Sequence, residues 1–193
     1  MFIQRLVAVS CLAVSFAVSA WCSPAANAEV IKYSGPVYTY YDVSGTPEQI
    51  LRQMQNKGRG GGFGYTEYFI SYRYSTALTP RGCYVSGAIV TLRVSILLPR
   101  LAGPVTPDLQ RRWAAFEPNL RKHEAGHEAI GIAAATEISA ALLAIGGQRS
   151  CAETKAGAKA AADAILADLS NRDRSYDMQT EHGKTQGAWF NSD

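Results

Sequence analysis

Past residue 28 the pattern of apolar and polar positions changes character once, near residue 104. Before that point β-branched and aromatic residues dominate in short runs broken by glycine. The alternating stretch Val37-Tyr38-Thr39-Tyr40-Tyr41, within residues 30–43, reads as a strand. Thr46-Pro47-Glu48 supplies an N-cap followed by proline at the first helical position, opening a short helix to about Asn56. Residues 58–64 form a glycine-rich loop; without the lysine and hydroxyl of a phosphate loop it reads as a flexible turn. Residues 65–75 and 83–98 read as two further strands, joined by the turn Thr79-Pro80-Arg81-Gly82. The grouping predicts a small, mainly antiparallel sheet.

After Pro104 the period becomes helical. Thr106-Pro107-Asp108 repeats the capping signal, and alanine, leucine and charged residues continue to Ile145, closed by Gly146-Gly147. Pro118 predicts a break, with a short helix to about Phe116 and a longer one from about Pro118. An alanine-rich return helix is expected from about Cys151 to Arg172, and the tail 175–193 is polar without clear periodicity. The fold class is therefore α+β, a small sheet packed on a long helix that is followed by an antiparallel partner. At this length one domain follows, β-rich over 29–104, helical over 105–174 and closed by the tail 175–193.

The first 28 residues have a different purpose. One positive charge at Arg5, an apolar run over residues 6–20 and the small-x-small triplet Ala26-Asn27-Ala28 predict a signal peptide, 1–28, cleaved after Ala28. The apolar run is too short for a stable membrane span. A lipid anchor would use Cys22, but Trp21 is too bulky for the position before it. Cys11 and Cys22 leave with the signal, so Cys83 and Cys151 remain and most simply pair as a disulfide in an oxidising compartment. Removing Arg5 from 19 basic and 16 acidic residues leaves a net charge of +2, which gives no sign of nucleic-acid or anionic-membrane binding.

The candidate chemistry sits in His123-Glu124-Ala125-Gly126-His127. The two histidines are one helical turn apart and project from one face, so their imidazoles can meet one zinc ion. Glu124 points to where a bound water would sit and can act as general base. Ile130, Ala134, Ile138, Ala141 and Ile145 continue the same face, so it is apolar and packed, and two histidines there need a partner. From His127 to Gly147 the helix rises about 30 Å; an antiparallel return of equal length is level with His127 near Asn171. The remaining histidine, His182, follows shortly after and is the expected third ligand. The same measurement leaves Glu153 and Glu137 out of reach and Asp168 and Asp177 within it. Asp177 is a candidate to hold a ligand imidazole in the right tautomer. Tyr176 is a candidate to polarise a substrate carbonyl, although core packing is the better account of it.

The motif places the chain among the zincins, the HExxH metallopeptidases. Ile130 and Ala133 stand where the metzincin pattern has glycine and its third histidine, and no downstream Asn-Glu motif of the thermolysin type is present. The exported N-terminus, a β-rich half with Cys83, HEAGH, Cys151 and Tyr176-Asp177-x-x-Thr180-x-His182-Gly183 together resemble the predicted secreted zinc-dependent proteases of the domain of unknown function 922 family, over about residues 30 to 188. The resemblance implies a zincin-like domain in a bacterial exported protein, periplasmic or secreted, holding one zinc ion on His123, His127 and His182 with Glu124 as catalytic base. Its substrate would be a peptide or protein, bound along an edge strand drawn from 65–75 or 83–98. A cell-wall amide is a chemically similar target. The reading from another class is a non-catalytic periplasmic accessory that binds metal or peptide.

Overall fold

A computed structural model describes residues 28–192. The expected signal peptide, with Cys11 and Cys22, lies outside the described residues except for Ala28. The elements in chain order are β1 (Ala28–Lys32), β2 (Val37–Val43), α1 (Pro47–Lys57), β3 (Tyr65–Thr79), β4 (Gly82–Leu101), α2 (Pro107–Leu143), α3 (Cys151–Thr180) and a 3-10 turn at Lys184–Gln186.

β4 is the centre of the sheet. From Gly82 to Leu97 it pairs antiparallel with β3 through a two-residue turn, Pro80-Arg81, with one bulge at Ser75/Thr76. β1 and β2 both run parallel to β4, at residues 87–91 and 95–101, and must share the edge that β3 leaves open. The expectation of a mainly antiparallel sheet is therefore corrected to a mixed one. The reason is non-local. α1 and the glycine-rich loop carry the chain past β2, so the β3–β4 hairpin inserts β4 between β2 and β3, and two reversals leave β2 and β4 parallel. β4 is thus no edge. Among the described residues β1, β2 and β3 each pair only with β4, so each has an outer edge without a strand partner, and that of β3 begins beside the site.

Along β4 the alternate residues Val90, Leu92, Val94, Ile96 and Leu98 are buried on the face toward the helices. They pack against Leu120, Ala135, Ile138 and Leu142 of α2 and Ala158 and Ala162 of α3. Phe69 is exposed on the opposite face, and α1 adds Ile50 and Met54 to the same hydrophobic core. α1 begins as its sequence predicts: Thr46 and Gln49 form a reciprocal capping box with Pro47 in the first turn.

The two long helices depart from expectation at two points. α2 is continuous through Pro118 for 37 residues. Proline removes the bond to the carbonyl of Ala114 at a cost of about 3 kcal/mol, but Phe116 and Leu120 on either side are both buried in the core and hold the axis together. α3 runs eight residues beyond Arg172 and ends at Thr180, where Glu181, His182 and Gly183 all take left-handed backbone angles. The tail after it is not a polar extension. Ala188 and Phe190 are buried, and Phe190 packs edge-on against Phe116 and Trp113.

Cys83 at the start of β4 and Cys151 at the start of α3 form a disulfide with Cα atoms 5.1 Å apart. Beside it Cys83 and Gln148 exchange backbone hydrogen bonds of 2.8 and 3.2 Å. The sheet is thereby tied to the turn between α2 and α3, as the cysteine count suggests.

Candidate metal centre

His123, Glu124 and His127 lie on the face of α2 that packs inward, and all three are buried. The two imidazoles stand 5.0 Å apart at nearly right angles. The ring of Tyr176, from the last turns of α3, stacks on His123 at 5.1 Å and meets His127 edge-on at 4.9 Å. Its hydroxyl faces the carbonyl oxygen of His123 at 3.2 Å and the Gln186 side chain at about the same range. Tyr176 therefore packs the histidines in place and turns its hydroxyl away from the cleft. Gly126 makes room for it: a Cβ there would lie 2.8 Å from Cε1 of Tyr176.

The nitrogens are sorted by their partners. Nδ1 of His123 lies 3.1 Å from Oε1 of Gln186, and Nδ1 of His127 lies 2.9 Å from Oδ1 of Asp173. A carbonyl or carboxylate oxygen can only accept, so both Nδ1 atoms carry the proton and both Nε2 atoms offer a lone pair when the rings are neutral. Those lone pairs converge on Oδ1 of Asp177, at 3.3 Å from His123 and 3.0 Å from His127. Three acceptors facing one another repel unless a cation lies among them. His123, His127 and Asp177, with ligand atoms all within 4.8 Å of one another, form a group that can hold one metal ion.

Burial and neighbouring charge act differently on the two histidines. Burial pushes His123 below the ordinary histidine range, with the neighbouring His127 adding to the effect. For His127 burial acts the same way, but the Asp173 hydrogen bond and the charges of Asp177 and Glu124 outweigh it and raise its pKa. Burial pushes Glu124 up to about 7, against the hydrogen bond from Thr66. That bond, from the Thr66 hydroxyl to Oε2, is 2.7 Å long. On the other side of the carboxylate lies Gly64, where a Cβ would stand 2.8 Å from Cδ of Glu124. The glycine-rich loop is thus one wall of the site rather than a free turn, and glycine at 64 is what lets the backbone approach. The cleft, about 240 Å³, opens between this loop and α3, with Arg59, Tyr65, Ser170 and Arg174 among its lining.

His182 stands at the mouth of the cleft, half-exposed, with Nδ1 3.6 Å from the other oxygen of Asp177. It lies outside the three-atom group. Asp177, expected behind a ligand imidazole, instead points directly at the two Nε2 atoms. Asp168 is engaged by Arg172, which also grips Glu137 through two 2.7 Å bonds. Glu153 accepts from the backbone N–H of Arg149 at the start of α3. The return helix comes level with His127 at Asp173, two residues from the expected Asn171.

Four contributors carry no recognisable motif: Thr66, Gly64, Asp173 and Gln186. One signal was available. Asp173 and Asp177 repeat on α3 the four-residue step of His123 and His127 on α2, so that facing helices present matched pairs.

A family model described as bacterial protein of unknown function (DUF922) matches residues 38–183. No curated protein and no solved structure matches the chain significantly.

Proposed function

We propose that this chain, which belongs to the DUF922 family of bacterial proteins, is an exported zinc-dependent hydrolase that cleaves peptide bonds. The observation that carries the reading is the convergence of two imidazole Nε2 atoms and a carboxylate beside a buried glutamate whose pKa burial raises to about 7. A binding-only metal site has no use for that glutamate; hydrolysis does. Two histidines and one carboxylate suit zinc and leave an open position for substrate or water.

When bound, the ion would supply Lewis acidity that lowers the pKa of water to about 7 and polarises the scissile carbonyl. Glu124, matched to that value, takes the proton of the attacking water and delivers it to the leaving amine. Thr66 donates to the Glu124 carboxylate and fixes which oxygen faces the cleft. β3 begins at the site and its outer edge is free among the described residues, so an extended peptide can align there by main-chain hydrogen bonds.

Asp177 is the third ligand in this reading. His182, the ligand that the family resemblance implies, is the alternative, favoured by its contact with Asp177 and by the left-handed backbone that holds it at the mouth. Export rests on the leader pattern of the sequence and is supported by the disulfide. Among the described residues no helix is long and apolar enough to cross a membrane.

The test is zinc content and cleavage of a mixed peptide library by wild type and Glu124→Gln. Equal zinc in both, with cleavage by wild type alone, supports the hydrolase. Equal zinc with no cleavage by either sinks it and leaves the non-catalytic accessory role.

A further inference from the structure

Resting on the metal reading above, we propose that Asp173 is the positioning residue for His127, and that Tyr68 holds Asp173 in that role. Asp173 lies one turn before Asp177 on α3, so both carboxylates face α2. One oxygen of Asp173 accepts the Nδ1–H of His127 at 2.9 Å. The other accepts the hydroxyl of Tyr68, which reaches across from β3. The Tyr68 ring passes over Gly131 of α2, where a Cβ would lie 3.1 Å from its Cδ1. Sheet, site helix and return helix are joined through this one carboxylate. Burial and the Asp173 contact raise the Tyr68 pKa, so its hydroxyl stays a donor.

The two histidines are supported unequally. His123 gives its Nδ1–H to the neutral amide of Gln186, His127 to a charged carboxylate. A carboxylate behind an imidazole fixes the tautomer and makes the opposite nitrogen a stronger donor. His127 is therefore the stronger ligand of the pair, and Asp173 sets the affinity of the centre through it without touching substrate.

The experiment is competition for zinc between a chromophoric chelator and the full chain, with thermal unfolding of the metal-free forms alongside. Asp173→Ala should bind zinc about 10–100-fold more weakly than wild type. Asp173→Asn, whose neutral amide oxygen still accepts from Nδ1, should recover part of that loss but not all of it. Tyr68→Phe deletes a single hydroxyl and should weaken binding by a smaller factor in the same direction; it also serves if Asp173→Ala does not fold. Asp173→Ala binding as tightly as wild type, or Asp173→Asn binding as weakly as Asp173→Ala, would overturn the inference alone. A wild-type chain that binds no zinc would overturn it together with the metal reading.

Discussion

Gly126 lies flat against the phenol of Tyr176, close enough that a single methyl group at 126 would sit 2.8 Å from the ring carbon Cε1. The two variable positions of HEAGH thus differ: Ala125 is exposed, while position 126 must be bare because the ring that packs both histidines passes over it. Gly126→Ala should force Tyr176 outward and cost about 1–3 kcal/mol in stability despite the better helix propensity of alanine. Urea unfolding with and without zinc measures it. Greater stability in the variant would show that the ring is free to move.

The identity of the third ligand is open to a direct comparison. Asp177→Ala should lower zinc affinity by at least about tenfold more than His182→Ala, since Oδ1 of Asp177 is 3.0–3.3 Å from both Nε2 atoms. The reverse order would assign His182 to the ion and Asp177 to the support behind it.

Glu124 makes the metal-free protein sensitive to pH. Its pKa rises from 4.5 to about 7 on folding, chiefly by burial. Between those values the folded chain holds a proton that the unfolded chain has released, so stability falls as pH rises through this window, by on the order of 3 kcal/mol. Glu124→Gln removes this contribution. With a chelator present the two proteins should unfold at similar urea concentrations near pH 4.5, and the variant should be the more stable at pH 8. Parallel curves across that range would mean that water reaches the carboxylate.

The disulfide closes 68 residues that include β4 and all of α2. On the loop-entropy model it contributes about 4 kcal/mol. Paired Cys83→Ser and Cys151→Ser substitutions should lower the unfolding free energy by up to that amount. Because the bond lies at the turn between α2 and α3, a full turn-to-site helix length from His127, zinc affinity of the still-folded variant should change little.

What could be read in advance was what depends on neighbours in sequence. The Thr46-Pro47 and Thr106-Pro107 caps, the one-turn step of His123 and His127, and the return of α3 to their level all follow from short-range geometry. The parallel pairing of β2 with β4 was not legible, because it depends on which strand the hairpin inserts beside β2. Pro118 misled for a related reason: its penalty is local, while the burial of Phe116 and Leu120 that outweighs it is tertiary. Asp173 and Gln186 look like ordinary polar residues of a helix and a tail until α3 is placed against α2. Gly64 looked like slack in the chain and proves to be a point of contact.

The spacing of the centre along the chain has a consequence for when it exists. His127 precedes its two carboxylates by 46 and 50 residues, and the intervening chain must form a complete helical hairpin before they meet. A growing chain therefore displays HEAGH well before it has Asp173 or Asp177 to set against it. During synthesis the centre stays incomplete, and its histidines and carboxylates can act on one ion together only once the last helix docks.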